Sequence, residues 1–248
     1  MVQINKSFIL KSFENAVNYY SDATQRIGLW QSEKYVAEKY FTKKGRILDI
    51  GCGTGRTTIG LYELGFNNVL GLDLSPHMVN EALIISENKG YNLNFVQGDA
   101  TKLTFENDLF DYAIFSFNGI MQIPLKENRI NAFIEINRVL KDKGIFIFTT
   151  FDRDSEECFK EFWSKEKLRW KNGNHDKRIF EFGDRIITSD DGKRDLYIHI
   201  PNKNEINECL KQTNFTVIEQ FYRKDLFNES NAVKNFSGEC VFWVVQKQ

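Results

Sequence analysis

The chain has 248 residues, 42% hydrophobic and 27% charged, which is length enough to bury one large α/β core and is read as a single domain. Lys+Arg 33 against Asp+Glu 34 leaves a net charge of -1, without the basic excess of a dedicated nucleic-acid binder, so a small-molecule partner is expected and nucleic acid is not. No apolar run approaches the ~18 residues of a membrane span and MVQINKSFILK is no secretory leader, so a cytoplasmic protein without membrane attachment is expected.

Residues 5 to 41 read as helical and carry Tyr19, Tyr20, Arg26 and Trp30. RILDI at 46 to 50 is a short apolar strand, and GCGTG turns it into RTTIGLYELG, where Ile59, Leu61 and Leu64 mark a helix face and Gly65 ends it. NVLGLDL at 68 to 74 is a second strand; Ser75 then caps a helix with Pro76 at its first position, closed by Gly90. LNFVQGD, ending at Asp99, and FDYAIFSF, ending near Phe117, are the third and fourth strands. A helix from about Lys126 to Lys141 is expected to turn Ile130, Phe133, Ile134 and Leu140 inward, before a fifth strand, GIFIFTTF. This alternation predicts a parallel, doubly wound sheet.

After Phe151 the pattern breaks. Residues 154 to 171 are charged and aromatic, and FEFGDRIITSDDGKRDLYIHIP reads as a hairpin turning at Asp190-Asp191-Gly192. A helix near 203 to 213, the strand FTVIEQFYR, a tight Ser237-Gly238 turn and CVFWVVQK follow, and the two closing strands in succession suggest an antiparallel hairpin at the sheet edge. The expected division is a helical segment at 1–41, a core at 42–151 and 201–248, and an inserted cap at 152–200. Cys52, Cys158, Cys209 and Cys240 form no CxxC pair, so neither zinc nor disulfides are expected, and Cys52 is read as a small loop residue, not a nucleophile.

ILDIGCGTGR at 47 to 56 puts Gly51, Gly53 and Gly55 where a strand turns sharply into a helix, so that a ligand can approach the backbone closely. Such loops also bind dinucleotides, but that fingerprint wants glycine at position 56, which here is Arg56. Asp49, just before the loop, would repel a pyrophosphate and suits a ligand with an ammonium group, a sulfonium and no phosphate, a description that S-adenosylmethionine (SAM) meets. Asp73, at the end of the second strand, is placed to accept from ribose hydroxyls. Asp99, at the end of the third, is placed to accept from an adenine amino group beside the Ala100 N–H.

In LDIGCGTG, LDLS and GDA and their intervals, residues 45 to 151 resemble the class I SAM-dependent methyltransferases, in the small-molecule branch with the ubiquinone-biosynthesis enzymes and glycine N-methyltransferase. The resemblance implies a Rossmann-like seven-stranded sheet with a reversed last strand, methionine against Gly51 to Gly55, and Leu74 and Met78 flanking adenine, with Phe115 at the donor site. VLKDKG departs from the family's proline and paired glycines at that turn. In the amino-terminal segment, Tyr19 and Arg26 are spaced as in glycine N-methyltransferase, which implies that Arg26 clamps the SAM carboxylate.

The sulfonium is already a good leaving group, so in-line transfer needs alignment in a dry pocket more than a nucleophile. Asn118 and Gln122, after the fourth strand, are acceptor-side candidates. His175, Tyr197 and His199 in the insertion are candidate bases. The insertion's Phe159, Phe162, Trp163, Trp170, Phe180 and Phe182, with Tyr19, Tyr20 and Trp30, are expected to wall a lid over the methyl, or else to form a homodimer interface. No metal is expected. The alternatives are an NAD-type oxidoreductase and a catalytically silent SAM-binding regulator.

Overall fold

In the computed structural model, which describes residues 4–155, 157–189 and 194–248, three helices precede the first strand: α1 (Lys6–Glu14), α2 (Val17–Arg26) and α3 (Gln31–Tyr40). Strands and helices then alternate as β1 (Ile47–Ile50), α4 (Arg56–Glu63), β2 (Val69–Asp73), α5 (Pro76–Asn88), β3 (Asn94–Gln97) and β4 (Phe110–Phe115). A 3-10 turn (Gly119–Gln122), α6 (Lys126–Val139) and β5 (Leu140–Thr150) follow, and then the insertion with α7 (Glu157–Lys171), β6 (Asp184–Thr188) and β7 (Asp195–His199). The chain closes with α8 (Lys203–Gln212), β8 (Phe215–Tyr222), α9 (Arg223–Leu226), α10 (Asn231–Phe236) and β9 (Val241–Lys247).

Seven strands form one sheet in the order β3-β2-β1-β4-β5-β9-β8. β1 to β5 run parallel, while β9 is antiparallel to both β5 and β8, which is the reversed last strand of the expected Rossmann-like fold. The order doubles back between β1 and β4. Chain leaving the carboxyl ends of those strands diverges there, and an open crevice is left at the switch point.

Alternating side chains on β5 and β9 explain why this sheet is buried on both faces. Phe146, Phe148, Trp243 and Val245 point to one face with Phe133, and Ile145, Ile147, Phe242 and Val244 to the other with Phe66. Phe148 and Trp243 stack at 5.9 Å, and the Trp243 indole donates to the Thr150 hydroxyl at 2.9 Å, so the burial leaves that N–H satisfied. Each such ring contributes about 1.5–3 kcal/mol by leaving water. At the start of α5 the Ser75 hydroxyl accepts the Met78 N–H at 3.4 Å, the expected cap, and Pro76 stands at the first helical position.

Two expectations are corrected. Ile134 is 47% exposed: the inward stripe of α6 is Ala132, Phe133, Ile136 and Val139, and Ile134 lies one step around the helix from Phe133. β8 and β9 are not joined by a tight turn, because α9 and α10 stand between them, and the buried Arg223 guanidinium donates to the carbonyls of Ser237 and Gly238 at 3.2 and 2.9 Å to fix the return. The β6–β7 hairpin pairs as expected, although the Asp190-Asp191-Gly192 turn lies outside the described residues. No helix of the described residues is long and apolar enough to cross a membrane.

Candidate functional site

Beyond β1 the chain passes Gly51, Gly53 and Gly55 with φ of 62, 55 and 90°, a left-handed succession that residues with a Cβ adopt only under strain. A Cβ on Gly51 would stand 2.5 Å from the Phe115 ring, whereas one on Gly53 would meet nothing within 4 Å, so the loop is packed on one side and open on the other. Two side chains hold it. The Gly53 N–H donates to Asp73 at 2.8 Å, and the hydroxyls of Thr54 and Thr24 share a bond of 2.7 Å, tying the loop to β2 and to α2. The open side faces a cavity of about 540 Å³ at the switch point, within the size range of small-ligand sites.

Asp49 is 1% exposed and accepts from the Thr58 hydroxyl at 2.6 Å. Burial pushes its carboxyl up to about 7, against the opposing pull of Thr58 and Arg56, and nearby Glu33 and Asp73 add to the rise. Burial likewise lifts Asp73 to about 6, although the N–H groups of Ser75 and Gly53, each at 2.8 Å, favour its charge. The cavity therefore holds two carboxyls whose charge the protein itself leaves under-compensated. Asp99 differs: burial would raise it, but the Lys6 ammonium at 2.9 Å and Thr101 hold it below the usual carboxylate range.

Asp49, Gly51, Cys52, Gly53, Asp73, Leu74, Met78, Asp99, Ala100, Phe115 and Gln122 all line this cavity, as does Tyr20. Cys52 is buried, which pushes its thiol well above the ordinary range, so it stays a protonated small residue. Gly55 completes the turn but backs onto Phe95. Cys209 and Cys240 are buried free thiols, and the side chain of Cys158 lies outside the described residues.

Other expected residues are elsewhere. Arg26 does not reach the cavity; its side chain is 79% exposed and pairs with Asp22 at 2.7 Å one helical turn back, where solvation favours the charge. Tyr19 is 46% exposed and stacks on Phe236 outside the cavity. Asn118, left-handed at φ 60°, is buried beside it, and its N–H donates to the Thr149 hydroxyl at 2.8 Å. His175 stacks on Trp170 at 3.9 Å. Tyr197 and His199 both bind Asp184, at 2.7 and 2.8 Å, within the insertion. Of the insertion's six named rings only Phe180 lines the cavity: Phe162, Trp163 and Phe182 pack on one another, and Phe159 is 48% exposed. Trp30 is fully buried, with the guanidinium carbons of Arg56 and Arg223 at 4.5 and 5.2 Å from its ring centroid. The apolar wall comes instead from Ile4, Ile9 and Phe13 of the amino-terminal segment.

Arg56 and Ser116 also line the cavity, and both bind the fully buried Glu33 of α3. Arg56 carried a signal, since it breaks the dinucleotide fingerprint, but SEKY around Glu33 carries none. In the insertion, Glu181, Asp184 and His199 bring ligating atoms within 4.8 Å of one another. Those atoms already serve an ion network: Glu181 pairs with Arg129 at 2.8 Å, Asp184 takes Tyr197, His199 and two N–H groups, and Glu205 stands 3.7 Å from the other His199 nitrogen. Burial would lower the His199 pKa, but hydrogen bonds to Asp184 and Glu205 hold it above the ordinary value.

Residues 41–184 match the family model of a methyltransferase domain. An uncharacterized protein of Methanocaldococcus jannaschii is 31% identical over 217 residues, 85% of this chain and 79% of that protein. The demethylmenaquinone methyltransferase of Staphylococcus carnosus is 32% identical over 63% of this chain and 65% of its own length. Among solved structures, a SAM-dependent methyltransferase from Methanosarcina mazei has the same fold, with a TM-score of 0.69 at 19% identity over 89% of this chain and 98% of that one.

Proposed function

This chain belongs to the class I SAM-dependent methyltransferases, and from that premise we propose that it carries a methyl group to a small, uncharged and largely apolar acceptor held in the 540 Å³ cavity. The observation that supports this most is the pair of buried, under-compensated carboxyls beside an open glycine loop. Asp49 is suited to the donor's ammonium group and Asp73 to its ribose hydroxyls, since each needs a partner that the protein does not supply in full. Leu74 and Met78 are apolar faces for adenine. Asp99 and the Ala100 N–H are suited to its edge, with Asp99 sharing lone pairs between Lys6, Thr101 and the ligand.

When bound, SAM supplies an electrophilic methyl on sulfur. The protein's own contribution is alignment and exclusion of water. The apolar lining of the cavity includes Ile4, Ile9, Phe13, Ile123, Leu125 and Phe180, and of its cations Lys6 is already paired with Asp99 and Arg56 with Glu33. That lining suits an acceptor without formal charge. Gln122 and Asn128 add polar atoms to orient it, and residues 152–200, through Phe180, act with the amino-terminal segment as a cap.

Calorimetry with SAM and S-adenosylhomocysteine tests the donor site. Incubation with isotopically labelled SAM and cell extract, read by mass spectrometry, then identifies the acceptor. Tight donor binding with no labelled product from any extract would favour the silent regulator instead.

A further inference from the structure

Glu33 occupies the first turn of α3, far in sequence from the glycine loop, yet it is 0% exposed and its carboxylate is surrounded by donors from three elements. It accepts the N–H of its own Trp30 at 2.9 Å, two N–H groups of Arg56 at 2.6 Å each, and the hydroxyl of Ser116. Arg56 opens α4 directly after Gly55, and Ser116 follows β4. Both line the cavity, on opposite sides of the switch point. Arg56 is held on a second side by the Gly28 carbonyl at 3.0 Å and lies against the Trp30 ring, so its planar fork has one orientation.

We propose that Glu33 is a positioning residue for the methyl donor: it clamps Arg56 and Ser116 across the glycine loop and cancels the Arg56 charge, leaving Asp49 as the group that the donor's ammonium meets. The inference rests on the donor site proposed above. Burial alone would raise the Glu33 carboxyl, but Arg56 and the surrounding donors hold it below the usual range, so the pair is an ion pair. The charged and polar groups facing Asp49 are Thr58 and Arg56 on α4, Glu33 on α3 and Asp73 on β2, and among them Arg56 and Glu33 pull in opposite directions. Removing Glu33's charge leaves a buried guanidinium unopposed beside the place of an ammonium group. It would repel the donor while keeping Asp49 ionised to lower pH.

The test is SAM binding by calorimetry from pH 5.5 to 7.5 on wild type, Glu33→Gln and Glu33→Gln/Arg56→Gln. In Glu33→Gln affinity should fall about tenfold and the midpoint of its pH dependence should drop by about one unit. The double variant, which removes both charges and so leaves no lone buried charge to destabilise the fold, should return the midpoint to the wild-type position while affinity stays weakened. A merely structural role would weaken binding without moving the midpoint. Wild-type affinity and midpoint in Glu33→Gln, or in the double variant a midpoint that stays displaced, would overturn the proposal alone. Failure of the wild type to bind SAM would overturn the donor site and this inference together.

Discussion

Donor binding should depend on pH through Asp49. In the empty protein burial lifts this carboxyl from 3.8 to about 7, so folding takes up its proton, and the stability of the empty protein falls as pH rises from 3.8 to about 7. An ammonium group beside the carboxylate reverses that preference: binding requires the ionised form and releases the proton. With one titrating group, the apparent dissociation constant scales as one plus the ratio of protonated to ionised Asp49. Between pH 7.5 and pH 6 that factor rises about eightfold, and a free α-amino group, of pKa about 7.7–8.0 and so partly deprotonated at pH 7.5, offsets about 1.3- to 1.6-fold of it, leaving about five- to sixfold, about 1 kcal/mol. Asp73, lifted to about 6, adds at most about a further factor of two at the acid end. Titration calorimetry in two buffers of different ionisation enthalpy would read both quantities, with close to one proton released per SAM at pH 6 and about no net exchange at pH 7.5, where uptake by the α-amino group offsets release from Asp49. A dissociation constant flat within twofold over this range, or an enthalpy at pH 6 independent of buffer, would refute the reasoning.

Asp73→Ala should weaken SAM binding by about 1–3 kcal/mol, read by the same titration, because it leaves ligand hydroxyls and the Gly53 N–H without their acceptor. Arg26→Ala should leave that affinity within about twofold, since its surface pair with Asp22 contributes little, and a large loss would return Arg26 to the site. Once an acceptor is known, Phe180→Ala should raise its KM severalfold with SAM affinity kept, whereas Phe159→Ala, on the exposed side of α7, should change neither. Phe148→Ala should cost about 3–5 kcal/mol of stability in urea unfolding, by emptying the space against Trp243 and Phe133.

The parts of the molecule legible in the sequence are those where one local rule decides. The Ser75–Pro76 helix start, Asp73 at the end of β2, Asp99 two residues past β3 and the positive-φ glycines each follow from a few adjacent residues, and together they shape the part of the cavity proposed for the donor. The apolar wall proposed for the acceptor is not legible. Ile4, Ile9 and Phe13 meet Phe180 only because the amino-terminal helices fold back across the sheet edge, a long-range fact that no window of sequence carries. Arg26 departs from expectation for the same reason: its spacing from Tyr19 matches a family pattern, but α2 turns that face to solvent and offers Ala23 and Thr24 inward. Aromatic content pointed to α7 as cavity wall, whereas its rings have enough partners within the insertion itself.

The roof over the cavity has a kinetic meaning. Ile9 and Phe13 of α1 lie on it, Lys6 reaches Asp99 beside it, and Ser12 donates to the Asp195 carbonyl at 2.6 Å, so α1 bridges the sheet and the insertion. If donor and product exchange past α1, this bridge has to lift in each turnover. The Lys6–Asp99 pair is exposed enough to hold with about 1 kcal/mol or less, while the apolar side of α1 packs Ile9, with Phe8 and Phe13, in a cluster with Tyr197. In that case salt, which loosens a surface ion pair, should quicken product release without touching the chemistry beneath.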